Sequence, residues 1–358
     1  MTPTIGNATV GETTKSVANP LDKTYVKEKS EAKSGIYDGI ELQKPSKLGP
    51  FEFDNQLLWN YIIFFAVWHS IAIYGALTFP YLTHKLTALW MLGVYTYTKI
   101  GETAGAHRLY SHKAYKAKTP LRALLLFFYY SNGTFTIRNW VKLHRLHHKY
   151  AETDGDPTNP TRGFFFAHIG WLMMKKHPEM IRRKRQVDIS DIKADPLVQF
   201  GDKYFTIWKY LLCFILPTIV PVYAWNENWY YAILSQCFIR YIFQLHVTFS
   251  ANSFAHLWGH QRPYNKNIFP TEHKAVSIVT LGEGWHNYHH TFPWDYKAAE
   301  LGDYSMNITT GFIDLCAKLG LAYDLRQPSK QLIESVCKNK GDGTHPLWKE
   351  VHEPIATH

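Results

Sequence analysis

The chain has 358 residues, enough for one large domain or two, and its 39 Lys and Arg exceed its 29 Asp and Glu to give a net charge of +10. It is 46% hydrophobic and 16% aromatic and carries no nucleic-acid-binding motif, so the positive charge points to anionic lipid or a negatively charged substrate. Cys213, Cys237, Cys316 and Cys337 lack C-x-x-C spacing, which argues against a disulfide framework and for a reducing compartment.

In chain order, residues 1–50 are polar, mixed in charge and without the apolar core of a signal peptide, and read as a flexible cytosolic segment with a docking turn near Ile36 and Tyr37. The sequon at Asn7, Ala8 and Thr9 has little weight in such a compartment. Four apolar blocks follow, at about 57–82, 86–100, 204–225 and 229–250. A spanning helix needs about 20 mostly apolar residues. The first, third and fourth blocks meet that outright, and the second does so if Thr96, Thr98 and Lys99 lie at the interface. Spans are therefore expected at about 57–82, 84–104, 204–225 and 228–250. Arg240 and His246, inside the fourth, suit a bundle interior better than a lipid face. The competing reading is a soluble helical enzyme with buried helices.

The joints around His84 and Lys85 and at 226–228 are nearly free of Lys and Arg, whereas 108–203 carries Lys175, Lys176, Arg182, Arg183, Lys184 and Arg185. The positive-inside rule places that middle segment in the cytosol. Two tight hairpins then bring both termini, the middle segment and the C-terminal segment to one side. Within the middle segment, 121–130 is too short to span, 154–162 is a turn-rich loop, and 163–178 reads as an amphipathic surface element whose lysines meet headgroups or an anionic ligand. The predicted architecture is an all-α integral membrane protein: four transmembrane helices in two hairpins, and a cytosolic helical cap at 105–203 and 251–327. The whole domain covers 51–327, with a tail at 328–358.

Histidine supplies the chemistry. His144, His147 and His148 fall at i, i+3 and i+4, on one face of a helix, and His286, His289 and His290 repeat the spacing. His107 and His112 are five apart, about 140° around a straight helix, and need a helix end or break to converge. Asn252 and His256 stand at i and i+4. Nine imidazoles exceed what one metal uses but suit two.

The ordered set H-R-L-Y-S-H, H-R-L-H-H, N-S-F-A-H and G-W-H-N-Y-H-H resembles the membrane-bound acyl-CoA desaturases of the stearoyl-CoA type, from about Pro50 to Gln327. Connecting stretches at 103–109, 162–172 and 282–293 are similar too. The resemblance implies the four-helix membrane fold, a di-iron centre and O2-dependent insertion of a double bond into a fatty acyl-CoA, at C9 or C11. It also implies an endoplasmic reticulum location and electrons from cytochrome b5 and its NADH-dependent reductase. No b5 domain is fused, since His345-Pro346 continues as Leu347-Trp348. Carried over by motif, one iron takes His107, His112, His144, His148 and His289. The other takes His147, His256, His286 and His290, with Asn252 acting through water, and no further catalytic residue is implied. Departures gather at the CoA end, where Lys142-Leu143 replaces an Arg-Asp pair, Phe135 an Asn, Lys175-Lys176 an Arg-Lys pair and Phe249 a Trp. Tyr110 stands where Trp is common. Lys142, Lys175, Lys176 and Phe249 are thus expected substrate contacts in a divergent, insect-type member with altered regiochemistry or an unusual acyl chain. The alternatives are a fatty acyl hydroxylase or acetylenase with the same histidines, and a non-catalytic lipid-binding relative.

Overall fold

The computed structural model describes residues 36–37, 40–41, 46–48, 51–53, 55–300 and 303–346. Its regular elements among the described residues are mostly helices, with a few strands of two or three residues, and two units separate, Met1–Gln43 and Lys44–His358. In the first, β1 (Ile36–Tyr37) pairs antiparallel with β2 (Ile40–Glu41), where the sequence suggests a turn; most of the expected 1–50 segment lies outside the described residues. The second unit contains everything below.

Among the described residues, two helices are long and apolar enough to cross a membrane, α1 (Trp59–Thr78) and a helix at Phe205–Trp225. Only 17% and 28% of their apolar windows are buried, so most side chains point outwards. The other two apolar blocks are also helical, and π-helical stretches adjoin or enter them as one enters the Phe205–Trp225 helix, at Lys209–Ile215. α2 (Lys85–Ile100) runs without a break into a π-helical stretch, Gly101–Ser111. The fourth block is one continuous helix at 229–257 that contains a π-helical turn at Leu234–Ile239 and a buried Arg240. α3 (Thr119–Tyr130) and α4 (Ile137–Tyr150) follow α2, and the Phe205–Trp225 helix is α5 and the 229–257 helix α6.

The joints of the two helical hairpins meet. His84 Nδ1 lies 2.8 Å from Glu227 Oε1, and Thr87 and the Asn228 backbone N–H donate to the same carboxylate. α1 approaches α6 at Gly75, where a Cβ would come within 2.8 Å of Leu234 Cδ1. Deeper in, His69, His246 and His168 form a chain of hydrogen bonds, 2.8 Å at each ring-to-ring step, which ends on Ser253 Oγ, also at 2.8 Å. That chain ties α1 and α6 to the π-helical turn Phe166–Gly170. Polar bonds of this kind hold helices together where apolar burial offers no preference between partners.

The main core packs the π-helical stretch against α3 and α4, with Ala104, Leu125, Ile137 and Val141 fully enclosed. Helices α7 (Lys274–Thr280), α8 (His286–Thr291) and α9 (Ile308–Lys318) complete the wall around it. The segment taken as a tail contains α10 (Lys330–Lys340), which buries Ile333 and Cys337 against Tyr264, Tyr288 and Phe292.

Candidate metal centre

Four elements deliver the histidines to one place. The i, i+5 hydrogen bonding of a π-helix overlays residues that an α-helix would separate. It brings the His107 and His112 rings to 4.9 Å, His112 lying just past the helix end. Thr136 caps α4 by accepting the Asn139 N–H at 3.2 Å, and fixes the helix that carries His144, His147 and His148. α6 supplies His256, and the short α8 supplies His286, His289 and His290.

The nine rings form two groups, each with its donor atoms within 4.8 Å of one another. His107, His112, His144, His148 and His289 make the first, and His147, His256, His286 and His290 the second. Each H-x-x-H-H stretch is divided between the groups, and the rings of His148 and His290 stack at 4.2 Å across the boundary.

The donor set fits metal ions. His289 Nε2 lies 3.0 Å from Nε2 of both His107 and His148, and His290 Nε2 lies 3.3 and 3.2 Å from those of His147 and His286. One proton on a shared nitrogen cannot satisfy two facing lone pairs, whereas a cation among them can. Carboxylates behind the rings favour the same orientation. Glu283 Oε2 is 2.7 Å from His107 Nδ1 and Asp156 Oδ1 is 2.9 Å from His147 Nδ1, so each holds a proton on Nδ1 and leaves Nε2 free to ligate. Burial, with neighbouring imidazoles, holds His112, His144, His148, His256, His289 and His290 well below the usual histidine range, and His286 at about 3. They are neutral, as ligands must be. For His147, burial also acts downward, but the Asp156 charge and hydrogen bond outweigh it and leave the ring raised. Burial would raise Glu283, yet Arg108 and His107 bring it down to about 2. Arg108 is itself buried, bonded to Glu283, the Tyr296 carbonyl and Thr310 Oγ1 at 2.9–3.0 Å.

A cavity of about 100 Å³ opens beside both groups. His107, His144, His147 and His286 face it, with Asn252, Phe135, Trp171 and Phe249 in its walls. A smaller polar recess shares Pro157 and Trp171 with it and is lined by Arg162, Lys175, Lys176 and His177. The Lys176 ammonium lies 4.7 Å over the Trp171 ring, and burial, then the Lys184 charge, pushes it down to about 8. Lys142 lines neither space; its charge acts on Lys184. Asn252 sits one turn before His256 on α6.

Asp156, Glu283 and Arg108 escaped the sequence reading. Asp156 was hidden in a stretch that reads as a turn, although its place nine residues beyond His147 was the available signal. Arg108 directly follows His107 in the first motif, and Glu283 stands three residues before His286 within the stretch 282–293.

Residues 85–300 match the family model described as fatty acid desaturase. The chain is 44% identical over 309 residues to an acyl-CoA Delta-9 desaturase of Acheta domesticus, covering 86% of each. It is 48% identical over 293 residues to an acyl-CoA Delta(11) desaturase of Spodoptera littoralis, covering 82% of this chain and 86% of the relative. Identity to a stearoyl-CoA desaturase of Sus scrofa is 43% over 330 residues, with 91% and 90% covered.

Proposed function

The chain belongs to the fatty acid desaturase family and is an acyl-CoA desaturase, and on that premise we propose that its two histidine groups hold two iron ions beside a cavity for the acyl chain. The observation that carries this reading is the pair of adjacent all-imidazole groups that open on a single cavity.

An iron pair supplies redox chemistry that zinc lacks. In the overall reaction, –CH2–CH2– with O2, two electrons and two protons gives –CH=CH– and two waters. The chain's own residues do the rest. Asp156 and Glu283 orient the ligating rings. Phe135, Trp171 and Phe249 enclose the acyl chain, exclude water and hold one C–C bond in register, where a misplacement of about 1 Å can lower the rate on the order of 100-fold. Arg162, Lys175 and Lys176 provide positive charge for the polyanionic CoA head at the recess beside the cavity mouth. Asn252 reaches the second group through water.

Four membrane spans, with the histidines and both termini on the cytosolic side of the endoplasmic reticulum, accommodate the outward apolar surfaces of α1, α2, α5 and α6. Leu77, Leu82 and Leu89, at 82%, 83% and 63% exposure, have no other apolar cover among the described residues. Cytochrome b5 and its NADH-dependent reductase supply the electrons.

The test is fatty-acid analysis of a desaturase-deficient yeast expressing the chain, beside His147→Ala/His148→Ala. An unsaturated acid formed only with the intact histidines is expected. A hydroxylated acid in its place would move the assignment to a hydroxylase, and no new lipid from an iron-loaded protein would remove it.

A further inference from the structure

One charged pair in the acyl cavity has no part in ligation. Glu102 lines the cavity with Thr103 and Thr248, and directly behind it stands Lys99, whose side chain is 0% exposed. Lys99 Nζ donates to Glu102 Oε1 at 3.0 Å and to Thr248 Oγ1 at 2.7 Å. Asn132 Nδ2 donates to Glu102 Oε2 at 2.7 Å, and Thr248 Oγ1 to the same oxygen at 2.9 Å. Farther back, Gln244 joins Thr98 at 2.8 Å, the Asn132 carbonyl at 3.1 Å and Arg240 at 3.2 Å. Immediately behind Glu102, the space between α2 and α6 is thus filled by polar side chains bonded to one another, and a separate apolar groove lined by Met91, Leu92, Tyr95 and Phe243 lies farther along the two helices.

The position of this network orients the cavity. The basic recess with Lys175 and Lys176 adjoins it at Pro157 and Trp171. Glu102 precedes His107 on the helix that continues α2, and Thr248 precedes Asn252 and His256 on α6. The pair therefore lies on the side of the metal ligands towards the apolar helices, and the recess at another part of the wall. With the CoA head at the recess, the methyl end of the acyl chain points at Lys99 and Glu102.

We propose that the Lys99–Glu102 pair, clamped by Thr248, is a fixed stop for the methyl end of the acyl chain and sets how many carbons can lie beyond the new double bond. The inference rests on the acyl-CoA desaturase reading. A hydrocarbon offers no hydrogen bond in exchange for those it would break, and parting the two residues would leave an unpaired buried charge, so an alkyl tail cannot push through. Glu102 is five residues before His107, at most about 7 Å along the axis at α-helical rise and less in this wider π-helical stretch, which leaves room for no more than about six carbons past the reacting bond. Sixteen-carbon chains desaturated at C9 or C11 satisfy that limit, and an eighteen-carbon chain does so at C11 but not at C9.

The experiment feeds saturated acids of graded length to desaturase-deficient yeast expressing the full chain, and locates each double bond by mass spectrometry. The expected products carry about six carbons or fewer beyond the bond. Lys99→Ala/Glu102→Val, which removes both charges and most of the bulk, is expected to retain bound iron and to admit tails two to four carbons longer. Should that variant fail to accumulate, the native profile decides alone. Products from the native chain with eight or more carbons beyond the bond would overturn the stop, as would an iron-loaded variant with an unaltered profile. Failure of every chain length to give an unsaturated product would overturn the underlying desaturase reading instead.

Discussion

Asp156 does two jobs with one carboxylate. It accepts from His147 Nδ1, and it also accepts the backbone N–H groups of Glu152 and Thr158 at 3.2 and 3.0 Å, which hold the loop that carries it. Asp156→Asn can keep the loop but loses the charge that favours ligation through Nε2. Iron affinity should fall 10–100-fold, as read by competition with a chelator, and unchanged affinity would show that Asp156 is a loop residue only. Lys176 gives a pH dependence whose sign follows from burial. Its folded pKa is lowered to about 8, so the charge is present below pH 8 and lost above it. KM for acyl-CoA should rise about fivefold, the equivalent of about 1 kcal/mol, between pH 7 and 9. Lys176→Arg, which stays charged, should flatten that rise, and an equal rise in the variant would assign it to another group. The histidines were legible because their spacing is a geometric statement about a helix. The carboxylates that orient them were not, since Asp156 looks like any turn residue until the loop folds back on α4.

At the level of elements, the i, i+3, i+4 spacing of His144, His147 and His148 needs only an ordinary α-helix, and α4 is one. His107 and His112 require more: their spacing calls for a helix end or a break, and His112 lies just past a helix end. The structure meets the requirement with 11 residues of π-helix, in which the widened turn replaces the break. Nothing in G-E-T-A-G-A-H-R-L-Y-S announces that choice, because it arises from packing on α3, where Gly101 sits against the Phe128 and Tyr129 backbone. The apolar blocks were read correctly as helices. Among the described residues, α1 and α5 are the two helices of spanning length and apolar composition, although α5 is π-helical at Lys209–Ile215; α2 is 16 residues long before its π-helical extension and α6 carries Arg240 and His246.

At the scale of the molecule, among the described residues, large apolar side chains face outwards from α1, α2, α5 and α6. Expressed in yeast, the protein should stay in the membrane pellet after an alkaline carbonate wash and enter solution only with detergent. Release by carbonate alone would mean that the helices lie on the bilayer and do not cross it.

The division of α4 and α8 between the two histidine groups has a thermodynamic consequence. His144 and His148 serve one group while His147, between them, serves the other, so the helix cannot order for one set of ligands and stay loose for the other. On the proposed two-ion reading, occupancy of the two groups is therefore a linked function: the entropy lost in fixing α4 and α8 falls on the first ion, and the second binds to helices already in register.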